Sequence, residues 1–493
     1  MLSKLSFTSL KTILIVAFAI RLVSCFFSEG YGMHDDHFLV IEASGSWVDG
    51  GDYNNWLPWN KESGSSPEGH SFTYVGSNYL LFKTLKFVGL EDPKLLMFFN
   101  RLAHALLSLL VIYFGFRITE KLSDRKTAAL FAWTWALLWF VPFISVRNLV
   151  EVVSIPFVVW SAWKSLSTEQ SQRSFLVAGI LIGIAISIRY QIALYAIGVG
   201  IYYLFRGAWK QVIFYTIGFL IAFSLTQGLV DYFIWGYPFA EFLAYVNYNM
   251  NEGTQYMSNT NYFMYFYVLF GLLLIPFGIL ALIAYFRASA KYLVLFLPTF
   301  IFLVFHSIFP NRQERFILTI LPIVLILVFL GIRLLIQKKG WQKFWKISWV
   351  SFWVLNVPLL LIVSVAPTKK TRIDSMYYLY GKVKGNEHIL MESSGETAPN
   401  LLPRFYAGKW NFTINERSKE HFPDVNSYLS HPHDYVFFNG NERLEERIAE
   451  LKQIYPQMKM VKQIHPSFID ETLHRMNPRN SNTYVEIWKT NFR

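Results

Sequence analysis

Residues 291–336 read KYLVLFLPTFIFLVFHSIFPNRQERFILTILPIVLILVFLGIRLLI. Two apolar runs, 291–309 and 314–336, are each long enough, or nearly so, to cross a hydrocarbon core about 30 Å thick. Between them stands FPNRQERF, with two arginines and Glu314 at a helix boundary. The same alternation of apolar run and short charged joint extends in both directions. Further runs fall at roughly 9–27, 95–118, 126–145, 149–166, 174–188, 190–205, 210–235, 263–286 and 345–366. The expected architecture is therefore a polytopic α-helical membrane protein with about eleven spans.

Composition agrees. The 493 residues are 53% hydrophobic, 18% aromatic and 16% charged, against about 25% charged for a soluble domain. A net charge of +12 raises nucleic acid as a partner. That reading is excluded because the basic residues are scattered in short loops between apolar runs, where a membrane protein carries them. The single cysteine, Cys25, excludes an internal disulfide and reads as an inert packing residue. Lys4 and Lys11 precede the apolar run 12–27 in the manner of a signal peptide. No convincing small-x-small cleavage site follows, so the run is read as an uncleaved first span.

Lysine and arginine placement sets the orientation. With a cytoplasmic N-terminus, one side holds Arg117, Lys121, Arg125, Lys126, Lys164, Arg173, Arg206, Lys210, Arg287, Lys291 and the basic stretch from Arg333 to Lys346. The other side receives the long loop 28–94, the loop 236–262 with no Lys or Arg, and everything after residue 366. Two domains are expected: a transmembrane catalytic domain over 1–366, with its outer catalytic loop at 28–94, and a soluble non-cytoplasmic α/β domain over 367–493. In the latter, HILMES, DYVFFNG, KMVKQI and TYVEIW read as strands and ERLEERIAELKQIY as a helix. The sequon Asn411-Phe412-Thr413 is of a kind common by chance.

Five arginines break the charge rule. Arg147, Arg189, Arg312 and Arg315 fall at helix ends on the outer side, and Arg101 lies inside the second span. Snorkelling to headgroups accounts for one such residue. Five on one side point to a polar cavity, and guanidinium groups suit a phosphate or diphosphate.

The outer loop opens with GYGMHDDHFLVIE, residues 30–42. Three chemistries fit it: a carboxylate acting as general base, a metal site using His and Asp together with distant ligands, or a solvated helix cap. A short interfacial helix over 35–47 is expected to place Asp35 and Glu42 on one face, two turns apart, with Phe38, Ile41 and Trp47 toward the membrane. In SVRNLVEVVSIPF, residues 145–157, Arg147 and Glu151 are expected four apart on one helical face. Tyr74, Trp56 and Trp59 are candidates to stack on sugar faces, with interfacial anchoring as the alternative for the tryptophans.

Together these stretches resemble the membrane mannosyltransferases that include the GPI-anchor and asparagine-linked-glycan enzymes, glycosyltransferase family 22 with the type C fold. MHDDHF matches that family's H-P-D-E-x-F motif through Asp35, Asp36 and Phe38, with Met33 and His34 replacing the first two residues. Glu42 matches a further acidic position. NRQERF resembles the family's H-K-E-x-R-F block through Arg315 and Phe316, with Arg312 in place of the lysine. RNLVEVVS matches through Arg147, Leu149 and Glu151, and ISIRYQIAL through Arg189. DYFIWGYPFAEFLAYVNYN matches through Asp231, Gly236, Phe242, Tyr245 and Asn247.

The resemblance covers roughly residues 10–330. It implies an inverting sugar transfer, with mannose the expected sugar, from a polyprenyl-phosphate donor to a glycan or glycolipid acceptor. Asp35 is then the base, and Asp36 and Glu42 orient the acceptor or an arginine. Arg312 and Arg315, backed by Arg147 and Arg189, bind the phosphate, and Asp231 is a substrate-binding position. No cofactor and no resident metal are called for. The expected location is a bacterial inner membrane with the site outside, or the endoplasmic reticulum membrane in a eukaryote. A transporter or flippase of a lipid-linked saccharide, and a scaffold subunit, are the alternatives. A flippase is expected to show carboxylates or broken helices at mid-membrane depth.

Overall fold

The structure, a computed structural model, describes residues 7–60, 66–166, 171–251, 261–393, 402–417, 432–477 and 482–491. Lys4 lies outside them. The chain divides into two compact units. The first comprises Met1–Cys25, Asn55–Ser77 and Arg101–Ser364; the second comprises Phe26–Asn54, Asn78–Asn100 and Val365–Arg493. The long loop 28–94 is therefore shared between them, and its acidic opening folds with the C-terminal segment.

The first unit is helical. Helical segments occupy all eleven expected stretches. Among the described residues, four helices are long and apolar enough to cross a bilayer: Leu10–Phe27, Pro93–Leu122, Trp209–Trp235 and Lys339–Ser364. Phe277–Ala288 and Leu293–Ile308, bent by 120°, make a fifth if taken as one broken span. By this measure not all of the eleven expected stretches reach bilayer length. In three runs the helix restarts beside a proline, with Pro142 and Pro322 in the first turn and Pro276 at the N-cap of the second piece, while Val150–Ser165, Gln172–Ile188 and Tyr190–Phe205 are apolar but short.

Helix starts follow the capping chemistry of the sequence. Asp124 accepts from Thr127 N–H to begin Arg125–Leu137, and Ser171 accepts from Ser174 N–H to begin Gln172–Ile188. Gly179 and Gly218 let Gln172–Ile188 and Trp209–Phe223 cross backbone to backbone. A Cβ on Gly179 would lie 2.0 Å from the Tyr215 carbonyl oxygen, and one on Gly218 2.1 Å from that of Leu176. Leu321–Leu335 is apolar around nearly its whole circumference and buried along nearly its whole length, as such a helix must be.

The second unit carries a five-stranded sheet: β1 (His388–Ser393), β2 (Thr413–Arg417), β3 (Tyr435–Asn439), β4 (Lys459–Ile464) and β5 (Val485–Lys489), in the order β2-β1-β3-β5-β4. β1 runs parallel to β2 and β3, with Leu390 opposite Asn415 and Val436, while β5 runs antiparallel to β3 and β4. The four expected strands are present, as is the helix Leu444–Ile454. β3 is buried at every position, as central strands with both faces covered are. β4 lies at the edge and is exposed over Lys459–Gln463.

Candidate functional site

In the first unit three predicted stretches meet at one carboxylate. Glu151 sits in the first turn of Val150–Ser165 and is fully buried. Nη2 of Arg189 lies 2.9 Å from its Oε1, and Nε of Arg315 lies 3.5 Å from the same oxygen. Arg189 stands at the C-terminal end of Gln172–Ile188 in extended conformation, which frees its side chain from the helix and turns its guanidinium over the Phe316 ring, 4.9 Å away. Arg315 is the second residue of the 3-10 segment Glu314–Thr319, and its Nε also donates to Gln313 Oε1 at 2.8 Å. A lone buried carboxylate is costly, and two guanidinium groups supply the compensation.

The expected helical pairing of Arg147 with Glu151 is not what forms. Leu149 is extended and the helix begins at Val150, so Arg147 precedes it. Its buried guanidinium donates to the Phe143 carbonyl at 3.0 Å and lies 3.4 Å from the centre of the Phe143 ring. Arg312 is also buried. It donates to the Phe309 and Ile308 carbonyls at 2.9 and 3.3 Å and lies over the Tyr262 ring at 4.7 Å. Arg101 donates to the Cys25 carbonyl at 2.9 Å, and Cys25 is buried.

Asp231 is fully buried and belongs to a second carboxylate centre. Its Oδ2 accepts from Gln227 Nε2 at 2.7 Å and from the backbone N–H of Glu241 at 2.9 Å. Glu241, also fully buried, accepts four N–H groups. Oε1 takes the indoles of Trp56 and Trp235, both at 3.0 Å, and Oε2 takes the backbone N–H groups of Gly69 and His70 at 2.7 and 3.1 Å. Burial pushes the Glu241 carboxyl up to about 7, against the pull of those donors. This centre fastens the loop segment around Trp56 and Gly69 to the helix Ala240–Asn251. Trp56 is therefore wholly buried, whereas Trp59 is exposed. The buried Tyr74 hydroxyl meets His104 Nε2 at 2.7 Å and accepts from Asn148 Nδ2 at 2.8 Å.

In the second unit the acidic opening is stapled to the start of the C-terminal segment. Thr368 N–H donates to the Glu29 carbonyl at 2.9 Å, and its hydroxyl donates to that of Tyr31 at 3.0 Å. Gly30, at φ +105°, permits the approach, since a Cβ there would stand 1.9 Å from the Thr368 carbonyl oxygen. The stretch is helical as expected, but it changes pitch: His34–Asp36 is α, His37–Glu42 is a π-turn, and Ala43–Val48 is α again. The wider turn alters the facing. Asp35 is exposed, whereas Asp36, Phe38, Ile41 and Glu42 are buried.

Glu42 receives the Phe405 backbone N–H on both oxygens, at 3.1 and 3.0 Å, and meets His37 Nε2 at 3.1 Å. Burial drives the Glu42 carboxyl well up and the His37 imidazole well down. The His37 ring lies between Tyr31 at 4.3 Å and Tyr406 at 6.0 Å, stacked on both. Lys369, whose ammonium lies 4.1 Å from the centre of the Tyr31 ring, and Arg372 add positive charge beside His34 and hold its imidazole down after the larger effect of burial. Among the described residues no group of three His, Cys, Asp or Glu side chains is placed to hold a metal ion.

The chain's fold, apolar helices with a small C-terminal mixed sheet, is that of the type C membrane glycosyltransferases. The chain belongs to the Alg9-like mannosyltransferase family, whose profile matches residues 12–388. Among solved structures the chain is similar to ArnT from Cupriavidus metallidurans bound to undecaprenyl phosphate, at 13% identity, with 97% of each chain covered and a TM-score of 0.62. It is also similar to the oligosaccharyltransferase of Archaeoglobus fulgidus in complex with Zn and sulfate, at 10% identity, covering 87% of this chain and 68% of that one, with a TM-score of 0.53. No curated protein sequence matches it.

The sequence did not single out Glu241, Lys369 or Arg372. Glu241 carried one signal, an acidic residue alone in the apolar run FAEFLAYV.

Proposed function

We propose that this membrane glycosyltransferase moves mannose from a polyprenyl-phosphate donor to a glycan or lipid-linked acceptor, with inversion, on the non-cytoplasmic side of the membrane. The observation that carries the reading is the buried Arg189–Glu151–Arg315 centre. Ionisable groups buried among membrane helices are costly and mark substrate paths, and guanidinium groups match phosphate. The family supports the sugar. Likeness in fold to a protein crystallised with undecaprenyl phosphate supports the carrier.

In this reading the acceptor hydroxyl attacks the anomeric carbon from the face opposite the phosphate. Its proton passes to Asp35, an exposed carboxylate at the start of the helical stretch. The bond from the anomeric carbon to the phosphate oxygen breaks, and the lipid phosphate leaves as an anion. Arg315, Arg312, Arg189 and Arg147 stabilise that developing charge. A phosphate leaving group needs no acid. Asp36 and Glu42 act behind Asp35, keeping the helical stretch in place; both are buried.

The test is transfer by the purified protein in nanodiscs, given a radiolabelled polyprenyl-phosphate mannose and a membrane glycolipid extract. Label should appear in a larger saccharide with inverted anomeric configuration. Donor that stays intact through prolonged incubation with every acceptor fraction defeats the proposal.

A further inference from the structure

The second unit holds a cavity of about 540 Å³ unconnected with any residue assigned above. Its walls are the helix Lys370–Leu379, the turn after it, and edge strand β4 with His465. Lys382 and Lys462 line it from opposite elements, and both are exposed. Asp374, the carboxylate of the lining, is already engaged by Lys94 at 3.0 Å and by Lys370 at 3.4 Å. Two ammonium groups thus face the cavity beyond those that Asp374 neutralises. They sense each other: Lys382 is held below its ordinary value by burial and then by the charge of Lys462.

The aromatic lining has structure of its own. The Lys382 ammonium sits 3.2 Å from the centre of the Tyr378 ring, which fixes its position. Tyr380 stacks on Tyr377 at 5.8 Å and 9°, so the pair forms a rigid wall. Like charges brought together against aromatic rings favour an anion between them. A cavity of this volume accepts a sugar-sized ligand, and phenolic rings and hydroxyls suit a sugar's mixed polar and apolar surface.

We infer that this cavity binds a phosphorylated saccharide, its phosphate between Lys382 and Lys462 and its ring against the tyrosines. The inference does not rest on the sugar-transfer reading. The chemistry is shared by a free glycan phosphate and by a glycolipid headgroup.

The test titrates mannose 6-phosphate into the full chain in zwitterionic nanodiscs, with mannose and inorganic phosphate as parallel probes. Saturable binding of mannose 6-phosphate is expected, tighter than either parallel probe. K382Q/K462Q should weaken it at least about tenfold, and K382R/K462R should retain it. Nanodiscs doped with phosphatidylinositol 4-phosphate separate the sources: competition with the soluble probe assigns a membrane headgroup, and undiminished binding assigns a free glycan. Equal affinity in the Gln variant, or inorganic phosphate binding as tightly as the sugar phosphate, overturns the inference.

Discussion

Arg189 and Glu151 meet at 2.9 Å across two helices, with the carboxylate fully buried. Removing one member of such a pair strands the other in low dielectric, which typically costs about 3–5 kcal/mol. Glu151→Ala, which removes the carboxylate that both arginines face, should lower the thermal transition in detergent by several degrees and abolish transfer. Arg189→Ala should destabilise more than Arg315→Ala, whose Nε lies farther from the carboxylate, at 3.5 Å. Differential scanning at one fixed scan rate checks both, and an Arg189→Ala variant with an unchanged transition contradicts the account.

Glu241 gives the fold a pH dependence. Its carboxyl titrates at about 7 in the folded protein, against an ordinary value of 4.5. Between those values the folded chain keeps a proton that the unfolded chain has lost. The contribution is thus fully present below about 4.5 and is lost as pH rises through about 7, by at most roughly 3 kcal/mol. Thermal scans of the wild type and of Glu241→Gln across this range should differ in slope, with the variant flatter. Parallel curves would show that the titrating group lies elsewhere.

Glu42 holds the turn Arg404–Ala407 through the Phe405 N–H. Glu42→Ala leaves that donor and His37 unmet in a buried site, at about 1–3 kcal/mol for each group stranded. Glu42→Gln keeps an acceptor and should be much milder. Thermal scanning of the two variants side by side decides this, and equal losses would point to a role in packing alone.

Gly69 pins the loop to the Ala240–Asn251 helix at φ +81°, where a Cβ would lie 3.0 Å from Tyr245 Cα and N. Gly69→Ala should cost about 1–3 kcal/mol through strain and crowding, and should expose Trp56 to acrylamide quenching. Unchanged quenching would show that the clamp survives.

The membrane helices were legible because apolar runs of bilayer length announce themselves, and the strands of the tail because alternating and β-branched runs do the same. Thr413–Arg417 carries no strand pattern in the sequence. TINER is polar at every position but Ile414, and it is a strand because β1 pairs with it. Asp35 and Glu42 do not share a face because a π-turn shifts the register by a residue that the sequence does not mark. Spacing alone makes Arg147 and Glu151 neighbours. The helix starts between them, and the partners of Glu151 come from stretches distant in sequence. Loop 28–94 divides for a similar reason, with 28–54 and 78–94 in the second unit and 55–77 in the first. Glu241 holds the segment around Trp56 and Gly69 in the first unit and Glu42 holds the acidic opening in the second, and such tertiary anchors leave little local pattern.

The central claim is that Asp35 takes the acceptor proton while arginines receive the lipid phosphate. It is tested most directly by initial rates of transfer from polyprenyl-phosphate mannose for Asp35→Asn and Arg315→Ala at matched protein levels. The account predicts a loss of about 100-fold or more in kcat for Asp35→Asn. For Arg315→Ala it predicts a loss of similar size, about 3 kcal/mol of barrier, with the fold retained in both. Transfer by Asp35→Asn at the wild-type rate would contradict it.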